Sequence, residues 1–384
     1  MHNPYIVFSV NTRRQASSMA AGCLMARRAF FLCLLFYCCE ADFWRAGNSI
    51  DNTDAYIELA AEGKLSQTKL SVTTYEGYYP AVSAHAYDFL YKPVRLAKDS
   101  RDHIHILDYG SNCIYEFDSD GDPLNQIGTK GSGPGDFLRP SDFVITNDRL
   151  YVSEIGNFRI QQLSISGMPE RFTRKYLTQY SMTCDEDGLI YIAPLDYGGE
   201  SQQIAVINNS GEVVRAFGTP IVFARDNVTL NFVYLERNSK DELFSVYRYF
   251  PIIRKYSKEG KLLSEYLLKN AAMKRTARIN YDRSRSRKAR LKEGYVLNVI
   301  AIRIFNDHLF LLCQSTKPLV LEYDERCRQI EIYKFNQDGP YIAKDFIVFE
   351  DAAGNKTFHL LQVFPESRVD IYSEITHLNQ GGLN

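Results

Sequence analysis

One unit recurs six times along this chain, and a repeat restricts the fold more tightly than composition does. The unit opens on a short strand pattern: HIHILD at 103–108, RLYVSE at 149–154, LIYIAP at 189–194, ELFSVY at 242–247, HLFLLC at 308–313 and TFHLLQ at 357–362. Turn residues precede several copies (DSRD, TND, DEDG, FND), and a second strand comes after most of them: CIYEFD, RIQQLSI, QIAVIN, IIRKYS, LVLEYD and RVDIYS. That strand commonly runs into SDGD, NSGE or KEGK, where glycine supplies the positive φ of a tight hairpin, and then into a third strand such as VVRAF or LLSEYLL. Aligning Ile104, Leu150, Ile190, Leu243, Leu309 and Phe358 gives spacings of 46, 40, 53, 66 and 49 residues. A blade of four antiparallel strands takes about 40–50 residues, and the copies alternate at period two rather than 3.6. The pattern predicts an all-β fold, a six-bladed β-propeller of four-stranded antiparallel blades spanning 65–375. The strand-like KLSQTKLSVTTYEG at 64–77 stands where it can complete the last blade and close the ring.

Composition agrees with that architecture and limits the partners. Tyr 26 and Phe 23 against a single Trp is a load of aromatics suited to pleated, half-buried surfaces. Lys+Arg 45 against Asp+Glu 46 leaves a formal charge of −1, so no whole-chain field draws the protein to nucleic acid or to an anionic membrane. Any charge-driven partner must use a local patch. The cysteines form two groups. Cys23, Cys33, Cys38 and Cys39 crowd the N-terminus, whereas Cys113, Cys184, Cys313 and Cys327 are scattered and read as isolated, mostly buried thiols. No CxxC pair supports a zinc ribbon or a thioredoxin-like site.

The N-terminus reads as an address. In MARRAFFLCLLFYCCEADFW, from Met25, Arg27 and Arg28 precede an apolar run from Ala29 to Cys39 that ends at Glu40. Basic head, apolar run and polar end are the layout of a secretory signal, and the run is too short for a bilayer core of about 30 Å. Cys38 and Cys39 are lipidation candidates, because the segment resembles a bacterial lipoprotein signal, although Tyr37 replaces the small residue expected before Cys38. RRAFF also faintly resembles a twin-arginine export signal. The expected organisation is a signal or lipoprotein-like segment at 1–40, with Met25 a candidate start, a linker at 41–64, the propeller, and a tail at 376–384. Export to the cell envelope or periplasm, with or without a lipid anchor, is the expectation from that layout.

The glycine-rich GTKGSGPGDFLRPSDFVI at 128–145 fails as a phosphate-binding loop, because its only lysine, Lys130, precedes the second glycine. Extended through TNDRLYVSEIGNFRIQQLSI to 165, the stretch resembles the NHL repeat: a glycine-rich run, Phe-x-x-Pro, an aliphatic strand, then Tyr-Val-x-Asp-x-x-Asn-x-Arg-Ile. The matching positions are Gly131, Gly133, Gly135, Phe137, Pro140, Tyr151, Val152, Asn157, Arg159 and Ile160, with Glu154 in place of the usual aspartate. The first unit keeps Asp108, Asn112 and Ile114, with Cys113 replacing the arginine. The resemblance covers about 60 residues closely, and beyond them only the strand spacing carries it. It implies one of the six-bladed NHL-type propellers common among exported bacterial proteins. In such a fold the glycines let the chain pass between blades, and Glu154, Asn157 and Arg159 belong to the repeat structure rather than to a ligand site.

The sequence offers no catalytic constellation: no Gly-x-Ser-x-Gly elbow, no His-Glu-x-x-His and no compact metal-ligand cluster. His105 and His359 hold equivalent places in units one and six. Tyr151, Tyr191, Phe244 and Phe310 fill that place elsewhere, so an aromatic packing layer is the expectation there and a metal pair the alternative. His103 and His308, with Asp102, Asp307 or Asp108, are the weaker metal candidates, and Glu154, Asp185, Glu186 and Asp187 belong to turns and strand ends. The clearest departure from the repeat is KNAAMKRTARINYDRSRSRKARLKEG at 269–294, a basic insertion between blades 4 and 5. Lys274, Arg275, Arg278, Arg283, Arg285, Arg287, Lys288 and Arg290 there are candidate partner-binding residues, for an acidic protein or an anionic membrane surface; Tyr281 alone is too few aromatics for nucleic acid. As a solvated or recognition excursion, the stretch 271–292 should be replaceable by a Gly/Ser linker without loss of folding. No cofactor is expected. The expected function is a non-enzymatic binding or scaffold propeller presenting a face or channel mouth to a protein or small ligand. The alternative is a metal-dependent hydrolase, lactonase or lyase, which three or four His, Asp, Glu or Asn side chains converging on the mouth would favour.

Overall fold

The computed structural model describes residues 69–79, 90–174, 178–194, 202–221, 223, 227–268, 270–313, 318–335, 341–364 and 367–374. The signal and linker segments, Cys38, Cys39 and the tail after 375 lie outside these residues. Blade 1 holds β2 (Pro93–Lys98), β3 (Ile104–Asp108), β4 (Cys113–Phe117) and β5 (Pro123–Ile127). Blade 2 holds β6 (Pro140–Thr146), β7 (Arg149–Glu154), β8 (Arg159–Ser164) and β9 (Pro169–Arg174). Blade 3 holds β10 (Thr178–Cys184), β11 (Ile190–Pro194), β12 (Ile204–Ile207) and β13 (Val213–Phe217). Blade 4 holds β14 (Val233–Arg237), β15 (Leu243–Tyr247), β16 (Ile252–Tyr256) and β17 (Leu262–Leu267). Blade 5 holds β18 (Val299–Phe305), β19 (His308–Cys313), β20 (Leu319–Tyr323) and β21 (Gln329–Phe335). Blade 6 contributes β22 (Ile342–Glu350), β23 (Lys356–Phe364) and β24 (Arg368–Glu374), and its fourth strand is β1 (Lys69–Tyr79), antiparallel to β24. The N-terminal strand therefore closes the ring. It also runs parallel to β21, which joins blades 5 and 6 into one eight-stranded sheet.

Stacking of the sheets explains why the second and third strands of the blades are the most visible in sequence. β3, β15 and β16 are buried at every residue, because each is covered on both faces by the adjoining blades, whereas outer strands such as β5 and β13 are largely exposed. The core is divided accordingly. Six apolar clusters each fill one blade interface, as where Leu107, Ile114 and Ile127 of blade 1 meet Phe143, Leu150 and Val152 of blade 2 around Phe137.

Among the described residues, one end of the ring carries tight hairpins. In four blades the first hairpin begins with Asp99, Asp185, Asn238 or Asp351, whose side-chain oxygen accepts backbone N–H groups two or four residues on. These Asx caps hold the turn, and its fourth residue takes the left-handed conformation (Asp102, Gly188, Asp241, Gly354). Blades 2 and 5 use two-residue turns instead, Asn147–Asp148 and Asn306–Asp307, each with both φ positive as a type I′ hairpin requires. The opposite end carries the crossovers between blades and the loops from second to third strands; it is called the crossover face below.

The basic insertion on that face is helical. After the one-turn α1 (Asn227–Leu230) within the blade 3–4 crossover, α2 (Ala271–Arg285) and α3 (Arg287–Glu293) join blades 4 and 5. Asn270 caps α2 by accepting from the N–H groups of Ala272 and Met273, and Ser286 caps α3 through Ala289. Met273, Ala277, Asn280, Tyr281 and Ser284 repeat at helical spacing and are all buried. Ala277 and Tyr281 enter the blade 3–4 core and Met273 the blade 4–5 core. The insertion is thus fastened to the ring by one face. Arg275, Arg278, Arg285, Arg287 and Lys288 are exposed on the others, and Arg283 pairs with Glu293 inside the insertion at 2.7 Å.

Candidate functional site

The inner strands β2, β6, β10, β14, β18 and β22 neighbour one another in a closed circle and line the axis of the ring. Four of them carry an extra residue at the same place, near the crossover face: Val94, Ser141, Ile300 and Lys344. A bulge re-aims the side chains next to it. The cross-strand register then aligns Arg95, Asp142, Ser181, Tyr234, Ala301 and Asp345 as one tier, with Glu236 and Arg303 two residues further in.

These residues join across the axis. The Arg95 Nε lies 2.8 Å from Asp142, and its terminal nitrogens lie 3.8 Å from Glu236 and 3.8 Å from Asp345. Arg303 reaches Asp345 at 2.5 Å and Glu236 at 3.6 Å, and also donates to the Leu96 carbonyl at 2.8 Å. The remaining lone pairs tie neighbouring blades: Asp142 accepts from the Met182 N–H, Asp345 from the Leu96 N–H and Ser181 from the Leu235 N–H. Burial alone would lower the Arg95 pKa, but Asp142, Asp345 and Glu236 outweigh it and raise the value, holding the guanidinium charged. Burial pushes Asp142 and Glu236 upward against the pull of the two arginines. Two cations therefore stand among three carboxylates.

Above this plug, toward the crossover face, stands Lys344, the bulge residue of β22. Lys344 is exposed by area yet crowded by surrounding protein, and desolvation lowers its pKa; Arg248 and Lys92 lower it further by repulsion. Arg248 lies over the rings of Tyr234 and Tyr249 at 5.0 and 5.8 Å, and Lys92 over that of Tyr109 at 5.1 Å.

The residues singled out by sequence fall elsewhere. Glu154 accepts from the Leu138 N–H, from Asn157 and Gln161, and from Arg159 at 2.6 Å, while Arg159 donates to the carbonyls of Ser132, Gly133 and Asp136. Asn157 reaches the Gly131 carbonyl, Gly135 adopts φ 83°, and Phe137 is fully buried ahead of Pro140 at the start of β6. Asp108 caps the N–H groups of Tyr91, Lys92, Gly110 and Ser111. His105 and His359 occupy one row with Tyr151, Tyr191, Phe244 and Phe310, opposite the inner strands, and engage different partners. The His105 Nε2 faces Asp99 at 3.3 Å, whereas His359 stacks near Phe349. His103 and His308 each bond a glutamate of the third strand, Glu116 and Glu322, rather than Asp102, Asp307 or Asp108. Asp99, His105 and Glu116 have ligand atoms close enough to share a cation, and the Arg101 guanidinium supplies one by bridging both carboxylates. Cys113, Cys184, Cys313 and Cys327 are free thiols.

Sequence reasoning missed the channel residues. The signal was charge within five of the six inner strands, PVRLAK, PSDFVIT, VYLER, VIAIRIF and IAKDFIVFE, against the uncharged TQYSMTC of β10.

A family model described as a 6-bladed beta-propeller, DUF5128, matches residues 86–344. The chain belongs to this family. Among solved structures, the ring resembles a putative exported protein from Bacteroides fragilis, at 12% identity and a TM-score of 0.53, covering 79% of this chain and 95% of that one. It also resembles a member of the DUF4221 family from Bacteroides vulgatus, at 11% identity and a TM-score of 0.53, covering 79% and 97%. A virginiamycin B lyase from Staphylococcus aureus matches at 12% identity over 80% and 90% with a TM-score of 0.48, too distant to bear on chemistry. No curated protein sequence matches. These likenesses are of fold alone. Among the described residues no helix is long and apolar enough to cross a membrane.

Proposed function

We propose that this DUF5128 propeller is a non-enzymatic binding protein of the cell envelope, which presents the channel mouth on its crossover face to a small ligand. One observation carries the reading. The carboxylates that converge in the channel, Asp142, Glu236 and Asp345, are engaged by Arg95 and Arg303, and Asp142 and Asp345 also by backbone N–H groups, so the acids on the ring axis are already paired in a salt-bridge tier. Export is supported by the basic head and apolar run at 27–39, lipid attachment at Cys38 or Cys39 by the lipoprotein-like end of that run, and kinship with NHL-type propellers by the match at 128–165.

The test is a thermal-shift screen of the full chain against neutral and charged small molecules. Each hit is repeated in Tyr234→Ala and Tyr234→Trp, which reshape the channel tier at the residue that Arg248 covers, without altering charge. Hits that disappear in both variants support the reading. Hits indifferent to both, or a metal-dependent turnover of an ester or lactone that Asp142→Asn abolishes, would replace it with a site elsewhere or with a hydrolase.

A further inference from the structure

We infer that blade 1 holds a divalent-metal site on the hairpin face, in which Asp99, His103, His105 and Glu116 bind an ion of the Zn²⁺ class and Arg101 keeps the place of the ion in its absence. The site lies outside the channel and goes beyond the function proposed for it. The β2–β3 hairpin brings the donors together. The Asp99 Oδ1 caps the turn by accepting from the N–H groups of Arg101 and His103, which leaves Oδ2 turned to the His105 Nε2 at 3.3 Å. Glu116 stands opposite His105 on β4, and its Oε1 lies 2.9 Å from the His103 Nδ1, the fourth donor. The ligand atoms of Asp99, His105 and Glu116 all lie within 4.8 Å of one another. Donors of one tetrahedral zinc, at bonds of about 2.0 Å, stand about 3.3 Å apart, so two edges of the tetrahedron are already near their length. Two imidazoles beside two carboxylates favour zinc and its transition-metal neighbours over Ca²⁺ and Mg²⁺, which take oxygen alone.

Charge points the same way. The Asp99 and Glu116 side chains are 0% and 8% exposed, and the cation that joins them is the Arg101 guanidinium, 2.5 Å from Asp99 and 3.0 Å from Glu116 on a side chain half in solvent. Among the described residues no other Lys or Arg pairs with either carboxylate. One guanidinium returns one charge for two, whereas a divalent ion balances both and leaves both imidazoles neutral, the form that binds metal. Blade 5 repeats the frame without the full set. His308 and Glu322 reproduce the His103–Glu116 pair at 2.6 Å, yet Phe310 stands where His105 does, a two-residue turn replaces the Asp99 cap, and the Tyr333 hydroxyl and Lys356 take the second oxygen of Glu322. In blade 3 the same row serves structure alone: Tyr191 donates its hydroxyl to Asp185, the counterpart of Asp99. Only in blade 1 does this row set a histidine opposite a carboxylate.

Exchange of Arg101 for the ion predicts an effect that a purely structural network lacks. The full chain, stripped of metal, is titrated with Co²⁺, whose visible absorption intensifies on four-coordinate binding, and then with Zn²⁺ in competition. His105→Tyr is the reference variant, because Tyr191 holds that place against Asp185 in blade 3. The difference between wild type and this variant counts the ion at blade 1 apart from any held by the N-terminal cysteines. Wild type binds one Co²⁺ more than His105→Tyr, Zn²⁺ displaces it, and Zn²⁺ raises the melting temperature of wild type more than that of the variant. Glu116→Gln weakens binding tenfold or more, Arg101→Ala tightens it tenfold or more by removing the competing cation, and His308→Phe on blade 5 leaves it within twofold. Equal binding by wild type and His105→Tyr would overturn the inference. So would an Arg101→Ala that binds no more tightly than wild type, since the guanidinium would not then stand where the ion goes. Should His105→Tyr fail to fold, Arg101→Ala, at a half-exposed position, decides alone.

Discussion

Two crossovers of this ring perform the same task by opposite means. Between blades 1 and 2 the chain passes through a glycine-rich loop held by polar groups: the buried Glu154–Arg159 pair and Asn157 collect loop carbonyls and the Leu138 N–H, with Phe137 as the lone apolar plug. Between blades 4 and 5 it passes through α2 and α3, held by the apolar stripe Met273, Ala277 and Tyr281 and by the polar clasp of Asn280. A loop without secondary structure has many backbone groups to satisfy and needs a charged hub; a helix satisfies its own and needs only a face to bury. The difference also governs how each can change. A polar hub demands particular residues at particular spacings, whereas the outer surface of a helix fastened by one stripe is free to vary, and here it carries the basic residues.

The largest effect that separates the two is expected at the hub. Glu154→Ala leaves the Arg159 guanidinium, 4% exposed, without its carboxylate, and breaking a buried pair in this way costs about 3–5 kcal/mol. Denaturant unfolding should show that loss, and Glu154→Ala/Arg159→Met should recover part of it. Full recovery by the double variant would make the hub an ordinary ion pair and not an organiser of loop carbonyls.

At the second crossover the corresponding change is Tyr281→Ala, which empties a ring from the blade 3–4 core and should cost about 3 kcal/mol. Replacing 271–292 by a Gly/Ser linker should likewise lower the melting temperature, contrary to what the charge of the segment alone suggests, because Met273, Ala277 and Tyr281 leave the core with it. An unchanged melting temperature would mean that the stripe contributes nothing and that the two crossovers are not equivalent fastenings.

Much of this contrast was legible in sequence, and the channel was not. Strands that carry the six-fold pattern, β3 and its equivalents, are buried on both faces and keep an unbroken apolar register, and Asx caps and glycines mark their turns. The inner strands lose that register at the bulges beside Val94, Ser141, Ile300 and Lys344, so their charged residues look like noise in a strand pattern. Arg95 and Asp345 belong to opposite ends of the chain and meet only because β1 closes the ring. Likewise the basic count of 269–294 was plain, while the stripe beneath it emerges once the segment is read at helical spacing.

Acid should act on neither crossover first. His359 is buried beside Phe349, and burial, with Lys98 adding repulsion, lowers its pKa to about 3 from an ordinary 6.5. A depressed pKa gives stability that is fully present above pH 6.5 and is lost as pH falls toward 3, because the unfolded chain takes up the proton first. His359→Phe matches the aromatic residues of the same row in blades 2 to 5 and should remove on the order of 2 kcal/mol of acid sensitivity between pH 6 and 4. Equal acid sensitivity in wild type and variant would move the origin of the effect to the channel carboxylates.

The smallest effect tests whether the helical crossover depends on its start as well as on its stripe. Asn270 stands between β17 and α2 in extended backbone, and its side chain accepts from the N–H groups of Ala272 and Met273, which a helix leaves without internal partners. Asn270→Ala removes that acceptor and should cost about 1 kcal/mol. The first turn also positions Met273, the residue that enters the blade 4–5 core, so the loss should be coupled to that contact. A double-mutant cycle of Asn270→Ala with Met273→Ala measures it. If the cap serves the stripe, the combined loss is smaller than the two single losses added, since fraying of the first turn already withdraws Met273. Strict additivity would show the cap and the stripe acting independently, and the helical crossover would then be held at two separate points, closer to the distributed polar hold between blades 1 and 2 than its apolar face suggests.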